Sequence, residues 1–253
     1  GGVTTSYIYD DTGNLTDVYL SGAAEVHYAF DGLGRRVTRR KVVSGVTQSE
    51  KRYLYAEGNR LVAELDATGA LVAQFVYAAN GRVPDLMLKS GVLYRLLTDH
   101  LGSVRLVVNT SNGIAAQRVD YDTWGNATLV TGSWDVQPLG FAGGLSDPDT
   151  KLVHFGAREY DPEVTRWTTR DPVLFSGGVN LYAYALGDPV NRGDPAGLAG
   201  AFIWGATGAG NPGLVRLEAE AIGLIGWDSG TGAYTGNIAA AGVAVGTDTH
   251  FGA

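Results

Sequence analysis

Carboxylates and arginines crowd into one stretch of this chain. Asp-Pro occurs at 147, 161, 171, 188 and 194, which takes five of the eight prolines. Among these dipeptides run Arg158-Glu159-Tyr160-Asp161-Pro162, Arg166-Trp167, Arg170-Asp171-Pro172, Asn180-Leu181-Tyr182-Ala183-Tyr184 and Asp194-Pro195-Ala196-Gly197-Leu198. Two carboxyls held close together cannot both ionise, so they share one proton. One can then act as general base on a water while the other acts as general acid on a scissile amide. A nearby arginine can orient such a carboxylate and keep it ionised through a bidentate contact. Turn chemistry is the competing explanation. Asp accepts backbone N–H bonds and Pro fixes φ, so for any single Asp-Pro a turn is the expected role.

Other constellations are weaker. The histidines at 27, 100, 154 and 250 show no paired metal spacing, and no cofactor or metal is expected. Gly205-Ala206-Thr207-Gly208-Ala209-Gly210 lacks the Lys-Ser/Thr of a phosphate loop and reads as linker. Asp11-Thr12-Gly13 and Asp66-Ala67-Thr68-Gly69 sit where hairpin turns are expected. Asp99-His100 reads as a hydrogen-bonded corner rather than a catalytic pair.

The elements that must position these residues are short strands. Glycine, at 37 residues, punctuates runs rich in Val, Leu, Tyr and Thr. Tyr7-Ile8-Tyr9-Asp10-Asp11-Thr12-Gly13-Asn14-Leu15 recurs as Tyr28-Ala29-Phe30-Asp31-Gly32-Leu33-Gly34-Arg35-Arg36-Val37, with looser copies at Tyr53-Leu54-Tyr55-Ala56-Glu57-Gly58 and Val119-Asp120-Tyr121-Asp122-Thr123-Trp124-Gly125-Asn126-Ala127. Alternating aromatics share one face of a strand. The Asp side chain caps the turn, and the Gly three residues on supplies positive φ. Such a unit buries its aromatic face only by stacking on its neighbours, which is the logic of a repeat array.

Composition sets outer bounds. A chain of 253 residues at 45% hydrophobic can bury a sizeable core. A net charge of −7 argues against nucleic acid as the main partner. There is no cysteine, so neither disulfides nor thiolate chemistry enter. No apolar run suits a membrane span, and no leader is legible. The opening Gly1-Gly2 and the lone Met87 suggest a piece of something longer.

The order and spacing of the 158–198 motifs resemble the RHS repeat-associated core domain. Leu97-Thr98-Asp99-His100-Leu101-Gly102-Ser103-Val104-Arg105-Leu106-Val107, Phe141-Ala142-Gly143-Gly144 and Phe155-Gly156-Ala157-Arg158 carry the likeness further. The repeated phrase is that of the tyrosine-aspartate (YD) repeat. The resemblance covers residues 1–198, most closely 94–198. It implies a mainly β fold: a YD-repeat sheet coiled into a hollow shell and closed by the core. The domains expected are shell strands over 1–93, the core with its cleavage site over 94–198, and the start of a variable C-terminal effector or plug over 199–253. The family cuts its own chain with two aspartates and an arginine, which fall here on Asp171, Asp194 and Arg158, and the cut falls between Leu198 and Ala199. Three positions depart from the family's usual text: Thr165 and Leu174 stand where glycine is common, and Gly187-Asp188 where Asn-Asn is frequent.

Asp194 precedes that bond closely enough for Pro195-Ala196-Gly197 to fold its carboxyl onto its own downstream peptide, which supplies a large effective molarity. The resemblance implies a single-turnover autoprotease that releases an encapsulated effector, as in polymorphic toxins and insecticidal toxin complexes. The alternative is a non-cleaving YD-shell adhesion module of the teneurin kind, with the C-terminal segment as plug. The partners implied are the rest of the shell, the chain's own C-terminal effector, and a secretion-machinery or shell protein; the location implied is secreted or cell surface. After 198 the chain turns Gly/Ala/Thr-rich, with one candidate helix over Leu214 to Ile225. Its apolar residues, among them Phe202, Ile203 and Trp204, would seek cover inside the shell.

Overall fold

The computed structural model describes residues 4–198 apart from 57–58, 79–80 and 175–178, and beyond 198 the backbone of four short strands. Twelve strands form one antiparallel sheet in strict sequence order. They are β1 (Ser6–Tyr9), β2 (Leu15–Tyr19), β3 (Ala24–Phe30), β4 (Arg36–Val43), β5 (Val46–Ala56), β6 (Arg60–Asp66), β7 (Leu71–Val76), β8 (Leu86–Lys89), β9 (Val92–Thr98), β10 (Val104–Asn109), β11 (Ala115–Tyr121) and β12 (Ala127–Thr131). A smaller four-stranded sheet comes next, built from β13 (Leu145–Ser146), β14 (Val153–Phe155), β15 (Arg158–Asp161) and β16 (Arg166–Trp167). No helix among the described residues is long and apolar enough to cross a membrane.

The repeat phrase sets the turns. Asp10 Oδ1 accepts the N–H groups of Thr12 and Asn14, each at 2.9 Å, and Gly13 takes φ +91°. The same turn recurs at Asp31, Asp66, Asp99 and Asp122, with Gly34, Gly69, Gly102 and Gly125 at positive φ. Asp99 is thus a turn cap, and His100 Nε2 lies 2.7 Å from the Val190 carbonyl. Tyrosine hydroxyls tie neighbouring hairpins: Tyr55 donates to Arg36 O, Tyr77 to Leu61 O and Tyr121 to Val104 O. A guanidinium lies over each of these rings, from Arg35, Arg60 and Arg105 respectively.

One face of the large sheet is the core face. Val18, Val26, Tyr28, Tyr53, Leu61, Phe75, Met87, Leu96 and Val107 are buried there; Leu152 packs with the first three, and Leu139 and Leu145 with the rest. Leu54, Val76, Leu88, Leu93 and Leu97 remain exposed. The sheet is open, with β1 and β12 as its two edges. These strands do not close on themselves: each pairs only with its chain neighbours, which is the sheet of a YD-repeat shell as the sequence led one to expect. A third small sheet joins β17 (Arg192–Gly193) to β18 (Phe202–Ile203), and β18 to β19 (Val215–Arg216). The candidate helix over 214–225 is thus corrected at β19, where the chain is extended, and the remaining residues of that segment lie outside the described ones.

Candidate active site

The site grows from β15. Tyr160 on this strand pairs with Trp167 of β16, and Phe155 of β14 pairs with Arg158. Phe141, Phe155, Tyr160, Trp167 and Tyr184 form one buried aromatic cluster, with Tyr160 stacked on Tyr184 at 4.2 Å between centroids. Edge-on and offset ring contacts of this kind make the cluster stiff. β15 therefore offers a rigid support, and alternation sends Arg158 and Glu159 to opposite faces of it.

Arg158 is 3% exposed and every nitrogen of its guanidinium is used. Nε donates to the Gly197 carbonyl at 2.6 Å, and Nη1 to the Leu181 carbonyl at 3.4 Å. Nη2 lies 3.0 Å from Asp171 Oδ2 and 3.1 Å from Asp194 Oδ2. Its Cζ lies over the Trp167 ring, 4.1 Å from the centroid. One nitrogen thus touches both aspartates, which are themselves 3% and 2% exposed. Burial pushes the arginine's pKa down, against the pull of the two carboxylates. Burial also raises that of Asp171, and the Arg158 charge only partly offsets this.

The Asp194–Leu198 segment wraps this guanidinium. Asp194 Oδ1 accepts the Leu198 N–H at 3.2 Å, and Gly197 N donates to Asp194 O at 3.3 Å. Ala157 N donates to Ala196 O at 3.0 Å. The approach is so close that it requires two glycines. A Cβ on Gly156 would sit 2.5 Å from the Ala196 carbonyl oxygen, and one on Gly197 would overlap the Phe155 carbonyl. Gly197 also has φ +63°. Asp171 Oδ1 accepts the Val173 N–H at 2.9 Å, and Asp171 N donates to Leu181 O, so its carboxyl is fixed from both sides. A cleft walled by the repeat turns at 10–14 and 31–34 opens onto Arg158, Asp171 and Leu198.

Of the residues singled out from sequence, Arg158, Asp171, Asp194 and Leu198 therefore come together. Ala199 lies outside the described residues. Asp188 sits on the surface, paired with Arg192 at 3.7 Å. Asp147 is more than a turn residue: it is 1% exposed and takes Arg39 Nε at 2.8 Å and the Tyr28 hydroxyl at 2.7 Å. Arg39 also holds Asp149, as does Lys41. These contacts bolt the segment before β14 to β3 and β4. A second buried cluster went unseen from sequence. On the reverse side of β15 from Arg158, Glu159 Oε1 meets Arg36 Nη2 and His154 Nδ1, each at 2.7 Å. Arg36 lies over the Tyr28 ring at 3.8 Å. The cluster's one sequence signal was a histidine between apolar residues, Val153-His154-Phe155.

Comparison with known proteins agrees with this architecture. The teneurin YD-shell family model matches residues 2–190. The double-stranded DNA deaminase toxin A of Burkholderia cenocepacia is 29% identical over 249 residues, which is 87% of this chain and 17% of that protein. Mouse teneurin-3 is 30% identical over 203 residues, covering 75% of this chain and 7% of that protein. Among solved structures, the TcdB2-TccC3-Cdc42 crystal structure superposes with a TM-score of 0.61 at 23% identity, over 77% of this chain and 10% of that one. A Photorhabdus luminescens Tc holotoxin pore superposes at 0.60 with 21% identity, over 85% and 11%. At that identity the likeness is one of fold, and the chain spans less than a fifth of these relatives. With the aspartate-glycine turns, the open meander sheet and the aromatic core under it all in place, the chain belongs to the teneurin YD-shell family.

Proposed function

We propose that this chain is the shell-closing core of a YD-repeat container and cuts its own backbone once, between Leu198 and Ala199. The observation that carries the reading is the single guanidinium nitrogen of Arg158 in contact with both Asp171 and Asp194, with the Asp194–Leu198 segment folded over it. In this reading the pair holds one proton, on Asp171, whose pKa burial raises. Asp194 takes a proton from a water, whose oxygen attacks the Leu198 carbonyl carbon. Asp171 gives its proton to the departing nitrogen of Ala199 as the C–N bond breaks. The products are a Leu198 carboxylate and a free amine on residue 199, with one water consumed. The titration belongs to the pair rather than to either residue. Because substrate and site are one chain, the reaction turns over once.

The released piece is a C-terminal effector enclosed by the remainder of the shell, and the whole protein acts outside the cell or at its surface. The toxin and teneurin relatives support that placement. A second reading has its own observation. A buried Arg flanked by two carboxylates also suits a purely structural ion cluster, with the chain uncut as in an adhesion module. Intact-mass measurement on freshly expressed protein separates the two. Fragments dividing at 198/199 support the protease, and a single full-length mass overturns it.

A further inference from the structure

Trp167 meets the guanidinium that the proposed reaction depends on, and neither the repeat nor the turn chemistry accounts for this contact. Arg158 has four hydrogen-bond acceptors: the Gly197 and Leu181 carbonyls and the Asp171 and Asp194 carboxylates. These bonds leave one freedom, since two carboxylates pulling on the same Nη2 can tip the group toward either. A bidentate pair with one aspartate is the usual preference of a guanidinium, and it would abandon the other. What opposes that tilt is the ring beneath. The Trp167 ring lies 4.1 Å from Arg158 Cζ.

The ring itself has nowhere to move. It is 1% exposed and meets Phe155 edge-on at 84°, Tyr160 at 70° and Tyr184 at 62°. Its backbone N–H donates to Tyr182 O, and its strand pairs with that of Tyr160. A desolvated cation over an indole face gains more than one in water, because no solvent competes for it. Burial works against the charge on Arg158, and the indole face returns part of what burial removes.

Building on the aspartyl reading above, we infer that Trp167 is a positioning residue that holds the Arg158 plane midway between Asp171 and Asp194, so that neither carboxylate captures it. The consequence for the reaction is that both aspartates feel the same cation and remain a pair. Loosening the ring contact lets Arg158 settle on one aspartate, and the two no longer share one proton around a common cation.

The test replaces Trp167 alone, by nonsense suppression in cell-free translation of the full chain, with tryptophans carrying one to four ring fluorines. Fluorine drains the negative face of the ring and leaves its shape nearly unchanged, so the core stays filled. The indole Nε1 makes no hydrogen bond among the described residues, so a change in its acidity should not confuse the series. Cleavage at 198/199 is followed by mass of the denatured chain against time and pH. The rate should fall stepwise with fluorine number, by about tenfold across the series. The pH at which the rate is half its maximum should move upward, because a carboxylate less firmly paired with a cation ionises less readily. A flat rate and an unmoved pH profile across a folded series overturn the inference.

A second readout does not need cleavage. Solvent exchange of the Arg158 Nε–H, measured by NMR in the chain with both aspartates once its reaction has run to completion, should quicken along the same series. No change there overturns the positioning role as well. If the unsubstituted chain remains full length, the aspartyl reading falls, and the exchange series alone decides whether Trp167 holds Arg158.

Discussion

Arg158, Asp171 and Asp194 form a set in which each residue constrains the other two. Asp171→Asn and Asp194→Asn are expected to stop cleavage while leaving the fold intact, because Asn keeps the shape and one of the two N–H contacts each carboxylate accepts but cannot share a proton. Removing one member of a cooperating acid–base pair costs about 10²–10⁴-fold in rate. Undiminished cutting at 198/199 in either variant would rule out the assignment. Arg158→Ala should slow or stop the cut, and Arg158→Lys should restore only part of it, for lack of the planar fork. Asp147 tests the opposite kind of role. Burial works to raise its carboxyl, but Arg39, with Arg36 and the Tyr28 hydroxyl, more than offsets that and holds it down at about 2, against an ordinary value of 3.8. A lowered carboxylate pKa gives stability that is complete above the ordinary value and is lost as pH falls through the folded one. The structure should therefore resist acid until pH falls from about 4 toward 2. Asp147→Asn should cost on the order of 3 kcal/mol at neutral pH, by uncoupling a buried pair. A melting temperature equal to wild type would show that Asp149 alone satisfies Arg39.

At the scale of elements, two departures from family text acquire a physical meaning. Thr165 and Leu174 stand where the resemblance leads one to expect glycine, and both take left-handed backbone, at φ +60° and +55°. The turn geometry is thus set by the strands and the aspartate caps around it, not by the local residue. Left-handed backbone costs an L-residue about 1–2 kcal/mol, and a β-branched one most of all. Thr165→Gly should therefore stabilise the protein by about 1 kcal/mol in denaturant unfolding, less the entropy glycine loses on folding. A destabilised variant would show that the Thr165 side chain contributes more than its backbone costs. The converse holds at Gly197. Gly197→Ala forces a Cβ onto the Phe155 carbonyl and should lift the Asp194–Leu198 turn from Arg158. Cleavage should be lost although Asp171, Asp194 and Arg158 are all present; retained cleavage at the wild-type rate would detach that turn from the reaction.

For the whole molecule, the order of pairing bears on the fate of the two pieces after a cut. Strand β18, at Phe202–Ile203, pairs with β17 at Arg192–Gly193, so the ladder crosses from one side of the Leu198–Ala199 bond to the other. Breaking the covalent link leaves those backbone hydrogen bonds in place. An apolar side chain after 198 that finds cover against the core would also gain about 1.5–3 kcal/mol, before ordering costs. The 199–253 piece is accordingly expected to co-elute with the core in native size-exclusion chromatography of a cut sample. Its separate elution without denaturant would refute retention. The open edges at β1 and β12 expose unpaired backbone, which neighbouring shell strands would cover.

Much of this was legible in the chain before any fold was known, because repeat turns are local. An aspartate with a glycine three residues on closes its own hydrogen bonds, so the turns at Asp10, Asp31 and Asp122 could be read from a few residues each. Strand alternation, the mainly β class and the crowding of Arg158, Asp171 and Asp194 toward Leu198 are likewise carried by short-range spacing and by family likeness. What the residues could not state is which distant side chains share a buried charge. Arg39 and Asp147 lie 108 positions apart, and nothing near either names the other. The same is true of Arg36 and Glu159. Such pairs are selected by how the meander lays one sheet over the next, where desolvation makes a lone charge intolerable and forces it to find whatever partner packing brings near. The stacking of Trp167 on Arg158 and the interlock of Gly156 with Ala196 belong to the same class. They depend on distances of a few ångströms between separate elements, and only the tertiary structure decides those.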